Sequence, residues 1–414
     1  MIEGKLIKFH REEAGLTQGQ LAQGVCSVTH LSKIERGITE YSHEITDLLA
    51  NKLGITMDTE RSRYRLLQEK LSKWNNAIIM VRSNEIHQLK DEIEKEPLRF
   101  LTDFKIQYNL LLARYYLFVN EKPKTKEILE TIREQYRLLS PYEQNFFKHV
   151  EGIFLFLTGN FKSCIEILKQ IDHDYPNAEF YYHLAIAYHS THSNIFAYYY
   201  GRKALQFFQR TLNILRIIDT ETLILVQLNS KEPHDIEETK QQYEKLLKVC
   251  ESVNSIDRAS KIHHNLAFEY FRRKRYSEAK QSYEKALELI TEEASHYLIS
   301  LNAYISACYK GSLLTKAELI DLAKKGLKMA QQNQDPKESD FVIQLHTINQ
   351  NEKKLYEYIE NTALPNFIAN GDQFMKQHYE KKLFLYYVKT EQEEKAFQLA
   401  SDKMTSEKSY YDLE

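Results

Sequence analysis

From His263 to Leu289 the chain reads HHNLAFEYFRRKRYSEAKQSYEKALEL, and the order of small and large residues in this run restricts the fold more than any other stretch. Leu266, Ala267 and Tyr270 share one helical face by their spacing, and Tyr276, Ala279, Tyr283 and Ala286 share a face of a second helix. The small residues let a neighbouring helix approach and the rings fill the space beside it, so the two helices interlock. Such a pair cannot bury its apolar face alone and needs similar pairs stacked against it. Weaker copies put Ala113, Gly152 and Ala185 in the place of Ala267. The interval before Ala267 leaves room for one more degenerate pair near Leu223 to Cys250, and further pairs follow from about Ser295 to the end.

Twelve Gly and seven Pro in 414 residues leave few places to break helices, and alternating β-branched runs are scarce, so the fold class is all-α. The 28 Tyr and 20 Phe against one Trp fit an interior of helix-on-helix contacts with aromatic fillers. The repeated pattern is that of the tetratricopeptide repeat. This resemblance implies a right-handed superhelix of roughly eight or nine degenerate pairs, whose first helices line a concave groove.

The N-terminus follows a different grammar. In TQGQLAQGVCSVTHLSKIER, Thr17 to Arg36, Thr17 and Gln20 have the spacing of a capping box, Gly24 ends a short helix, and Ser27 is placed to cap the next. Val28, Leu31 and Ile34 recur every third residue and are expected to face the core, leaving Thr29, His30, Ser32, Lys33 and Arg36 turned away. Residues 2–55 resemble the helix-turn-helix of the phage-repressor type through Leu6, Arg11, Leu16-Thr17-Gln18, Leu21-Ala22, Ile34-Glu35-Arg36-Gly37 and Leu49-Ala50. The resemblance implies a structural ion pair between Arg11 and Glu35. It also implies DNA contacts from Gln18, Ser27, Thr29, His30, Lys33 and Arg36, the second helix of the motif entering the major groove. A small helical domain used for protein contacts is the alternative. The expected domains are a five-helix DNA-binding domain over 1–58, a linker helix over 59–83 and the repeat array over 84–414.

A net charge of −2 excludes a nonspecific polyanion binder. Residues 1–36 carry Lys5, Lys8, Arg11, Lys33 and Arg36 against Glu3, Glu12, Glu13 and Glu35, a modest phosphate footprint that argues for two copies on a two-fold site. Cys26, Cys164, Cys250 and Cys308 lie far apart, which points to small core residues rather than a zinc site or disulfide framework. No apolar leader precedes the first helix, and no run reaches the roughly 18 apolar residues that span a bilayer, so a cytoplasmic location is expected.

No catalytic constellation is present, and neither enzyme activity, cofactor nor metal is expected. His263-His264 and the pair His189, His192 invite a metal reading, but adjacent helical residues point apart and His192 falls in an interhelix turn, so these read as groove-wall or surface residues. The groove offers a better signal. Asn265 precedes Leu266-Ala267 on the first helix of its pair, and Asn302 holds the matching place before Ala303. An amide side chain carries a donor and an acceptor and can clamp the backbone of an extended peptide. The competing reading is that the two Asn residues tie neighbouring helices together. Arg114, Arg272, His183 and His264 complete the expected peptide-facing set.

Taken together, the repressor-type domain and the repeat array resemble the peptide-pheromone receptors of Gram-positive bacteria, the group of Rap, NprR, PlcR, PrgX and Rgg, and by length the NprR type. The resemblance implies a quorum-sensing transcriptional regulator whose DNA binding and oligomeric state respond to a short imported peptide in the repeat groove. Its partners would be a double-stranded operator, the peptide and a second copy or higher homo-oligomer. Two alternatives remain: a Rap-like adaptor that docks on a response regulator through helices around Arg61 to Glu96, and a phage or plasmid regulator of lysogeny or conjugation.

Overall fold

The computed structural model describes residues 2–38, 42–229, 235–294, 296–369 and 373–406, and these contain helices and turns but no strands. The chain packs as two units, Met1–Leu155 with Glu166–Phe180, and Phe156–Ile165 with Tyr181–Glu414.

The first unit opens with α1 (Ile2–Glu13), α2 (Gln18–Ala22), α3 (Val28–Glu35) and α4 (His43–Lys52), followed by the long α5 (Met57–Ile79). Local chemistry sets the ends of these helices. Thr17 and Gln20 form the capping box of α2, the Ser27 hydroxyl accepts the His30 N–H to start α3, and Ser42 does the same for α4. Leu6, Ile7, Leu21, Ala22, Leu31, Ile34, Leu49 and Ala50 are buried together. Gly4 allows α1 to lie against α3, since a Cβ there would stand 2.0 Å from the Ile34 carbonyl oxygen. Two expectations fail in this region. Val28 is 48% exposed, because it sits on the first turn of α3 beside Gly19, which has no side chain to cover it. Cys26 is half-buried in the turn before α3 rather than in a helical core.

Helix α5 continues from the N-terminal helices without a break in packing at 58. Its Arg61 donates to Glu3 at 2.8 Å, its Glu60 lies 2.8 Å from His10 Nε2, and Tyr64 donates to Asp103, which also accepts from Lys5 at 2.7 Å. Nor does the packing break at 83: Trp74 of α5 is buried and donates from Nε1 to the Ile86 carbonyl within α6 (Ser83–Glu94). Next come α7 (Thr102–Phe118), α8 (Lys122–Glu134), α9 (Pro141–Leu157) and α10 (Phe161–Leu168). Ala113 is fully buried on α7, and a Cβ on Gly152 of α9 would come within 2.3 Å of Leu168.

In the second unit, α11 (Phe180–Ser190), α12 (Asn194–Arg210), α13 (Ile214–Leu228), α14 (Ile236–Ser252), α15 (Ile256–Arg272), α16 (Tyr276–Glu288), α17 (Tyr297–Gly311), α18 (Lys316–Asn333) and α19 (Glu338–Ile348) follow one another. From α12 to α19 each packs on the next, and α13, α15, α17 and α19 also pack on one another in turn, as stacked helix pairs must. The degenerate pair expected near Leu223 to Cys250 is α13 with α14. Ser295, the expected start of the next pair, lies outside the described residues. Tyr243, Leu266, Ala267, Tyr283, Leu301, Ile305, Ala323 and Phe341 form a continuous core, each large apolar side chain contributing about 2 kcal/mol by burial. The turns between helices use non-Gly residues in the left-handed region, among them Asn120, His192, Leu212, Asn254 and Lys274. After α20 (Glu352–Tyr358) and α21 (Leu364–Ala369), α22 (Gln373–Lys389) and α23 (Glu393–Ser406) close a smaller core around Phe367, Tyr379, Leu383 and Tyr387.

Candidate DNA interface and candidate ligand cavity

At the N-terminal site, Arg11 donates to Glu35 from Nε at 2.6 Å and from Nη2 at 3.0 Å, and its Nη1 reaches the Leu16 carbonyl at 2.9 Å. Both charged groups are buried, Arg11 at 8% exposure and Glu35 at 5%, and the Glu35 hydrogen bond holds the guanidinium above its ordinary range. Gln18 joins this pair. Its Nε2 donates to Glu35 at 2.7 Å, and the Ser27 hydroxyl oxygen accepts the His30 N–H as the cap of α3. Lys52 adds a support that the sequence reading missed, its Nζ lying 3.2 and 3.1 Å from the carbonyls of Gln20 and Leu21 at the end of α2. Thr29, Lys33 and Arg36 are exposed on α3 and just after it, while His30 is half-buried.

The second site is a cavity of about 560 Å³ inside the second unit, lined from α11, α13 and α15 and from the start of α17. Arg258, Lys261, Ile262 and Asn265 reach it because their spacing of three, four and seven places them along one stripe of α15. Arg258 grips Asp219 of α13 with two bonds, 2.8 and 2.9 Å, and a second guanidinium, Arg216, lies 3.5 Å from the same carboxylate and 4.8 Å over the Tyr182 ring.

Histidines brace the wall. The Ser260 hydroxyl donates to the Ala286 carbonyl at 2.7 Å, so His296 Nε2, 3.0 Å away, must donate to Ser260. His264 Nδ1 lies 3.0 Å from Ser300, giving α15 a second His–Ser link to α17. Gln227 donates to His189 Nδ1 at 2.9 Å. Burial pushes the pKa of His264 down to about 4, with His296 adding to the effect, and lowers those of His189 and His296. By contrast, Thr222 Oγ1 is buried in the wall without a hydrogen-bond partner, and the Asn265 side chain makes no hydrogen bond to another described residue.

Of the expected peptide-facing residues, the cavity brings together only His264 and Asn265. The structure places the other four outside the cavity lining. Asn302 Oδ1 accepts from Gln344 Nε2 at 2.9 Å, the kind of tie between neighbouring helices that the competing reading expects. Arg272 donates at 2.7 Å to the carbonyl of Asn229, which caps α13, because that helix end needs a donor. Arg114 belongs to the first unit, where it forms a buried pair with Glu179 at 2.6 Å. His183 is buried at 6% exposure with its ring edge-on to Tyr182. Among the described residues no cluster of three His, Cys, Asp or Glu could hold a metal ion, and no helix is long and apolar enough to cross a membrane.

Comparison with known proteins matches both regions. The helix-turn-helix family matches residues 7–59 and the tetratricopeptide repeat matches residues 260–292. The chain is 22% identical to the transcriptional activator NprA of Geobacillus stearothermophilus over 393 residues, covering 87% of this chain and 94% of that one. It is 23% identical to response regulator aspartate phosphatase I of Bacillus subtilis over 263 residues, 59% of this chain and 66% of that one. In fold it is similar to NprR in complex with its cognate peptide NprX, with a TM-score of 0.64 at 23% identity over 82% of this chain and 99% of that one. Over most of its length the chain therefore resembles, in sequence and in fold, the Rap–NprR group of helix-turn-helix and tetratricopeptide-repeat proteins.

Proposed function

We propose that this protein is a cytoplasmic, peptide-responsive transcriptional regulator and not an enzyme. In this reading α3 enters a major groove, where Thr29, His30, Lys33 and Arg36 bear on bases and phosphates, and a dimer binds a two-fold site. A short peptide in the second-unit cavity alters that binding. The observation that carries the reading is a cavity wall with unpartnered hydrogen-bonding groups, Thr222 and Asn265, in a chain whose other end presents an exposed, capped α3. Similarity to a transcriptional activator along 87% of the chain supports it. Selection of duplexes from a random-sequence pool by the full chain tests the DNA half. Enriched pseudo-palindromes with half-sites about one helical turn, roughly 10 bp, apart are expected, and a pool that stays random contradicts it.

A second reading, modulation of a response regulator through α5 and α6, draws on the similarity to response regulator aspartate phosphatase I. A change in the lifetime of a phosphorylated response regulator on adding the full chain would favour it.

A further inference from the structure

We propose that the second-unit cavity selects peptides carrying a carboxylate, read by the Arg216–Asp219–Arg258 cluster together with Lys261. This rests on the peptide reading above and names the ligand class for the same cavity. Arg11 and Arg114, both buried, each have a carboxylate of their own, Glu35 and Glu179. In the cavity wall two guanidiniums converge on Asp219, the single carboxylate among the described lining residues, and Lys261 adds a third cation. Lys261 leans on Asp257 at 2.7 Å, but both side chains are about half exposed, so this contact is weak enough to exchange for a ligand. The wall thus holds more positive than negative charge in a partly desolvated place, where an entering anion gains more than it would in open water.

The remaining lining gives the ligand a shape. Thr222 Oγ1 and the Asn265 amide supply a hydroxyl and a donor–acceptor pair suited to peptide backbone. Ile186, Val226 and Ile299 supply apolar wall. An extended segment with a carboxylate beside an aliphatic side chain satisfies both, and a basic peptide satisfies neither.

The carboxylate could be an Asp or Glu side chain or the peptide's own C-terminus. The test is affinity selection by the full chain from two randomised heptapeptide libraries, one with free C-termini and one amidated, with sequencing of what is retained. A side-chain carboxylate gives enrichment of Asp or Glu in both libraries, and a terminal carboxylate gives retention confined to the free-acid library. Either outcome supports the proposal. In each case Arg216→Gln and Lys261→Gln should reduce the preference for the acid over its amide at least about tenfold when combined. Lys261→Gln, at an exposed position, keeps the test valid if the Arg216 variant fails to fold. Equal retention from the free-acid and amidated libraries without enrichment of Asp or Glu, or a preference unchanged in Lys261→Gln and in the double variant, overturns the proposal while leaving the peptide reading standing. No retention from either library overturns both.

Discussion

Glu35 receives Arg11 through both carboxylate oxygens, and the second of these also accepts from Gln18, so α1, α2 and α3 meet at one buried anion. Replacing Arg11 with Ala leaves that anion with a neutral amide donor and no countercharge. The N-terminal helices should lose about 3 kcal/mol of stability, read by urea unfolding. An unfolding curve superimposable on wild type would mean that the pair is solvated.

Lys33 is exposed on α3, away from buried Leu31 and Ile34, so its removal should leave folding unchanged. Lys33→Ala should weaken binding to the selected duplex and lower the slope of log affinity against log salt by about 1, the signature of one lost phosphate contact. Titrations at several salt concentrations decide it. Unaltered slope and affinity would remove Lys33 from the interface.

Gly326 on α18 faces the Phe341 ring so closely that a Cβ would stand 2.2 Å from it. Gly326→Ala should therefore destabilise the second unit by about 1–3 kcal/mol, despite the better helix propensity of Ala. A more stable variant in thermal unfolding would show that the α18–α19 contact is loose.

His264 stays neutral in the folded chain down to about pH 4, whereas in the unfolded chain it takes up a proton near 6.5. Between those values the unfolded state binds more protons. Stability is thus complete above about pH 6.5 and falls on acidification, by about 2 kcal/mol at pH 5 from this group. His264→Gln should lose correspondingly less stability between pH 7.5 and 5. Equal losses in the two proteins, measured by urea midpoints, would show that His264 is protonated without penalty.

Where the signal was local, the sequence was legible. The Thr17–Gln20 box, the Ser27 cap and the helical face of Leu266, Ala267 and Tyr270 each lie within a few residues, and the Arg11–Glu35 pair came with the helix-turn-helix resemblance. The cavity was less so. Asn265 and His264 were found from their place in the clearest repeat, but the charged cluster joins Arg258 to Asp219 across 39 residues, through the degenerate α13–α14 pair whose register the sequence hides. The same distance in sequence hides the partners of Asn302, whose Gln344 is 42 residues away on α19, and of Arg272, whose acceptor is a backbone carbonyl. Facing positions on a helix can be read from periodicity, whereas the partner a side chain finds across the stack depends on how far each pair is rotated on the next.

The central claim, that a peptide in the second-unit cavity governs DNA binding at the other end of the chain, is tested most directly by one titration. The affinity of the full chain for its selected duplex is measured at fixed salt, with and without a saturating amount of the tightest selected peptide, in wild type and in Asn265→Ala. Peptide control predicts a change of at least about fivefold in wild type. In Asn265→Ala the peptide-free affinity should be unaltered, and the peptide concentration needed should rise roughly tenfold or more. Duplex affinity that stays the same when calorimetry shows the peptide bound would contradict it.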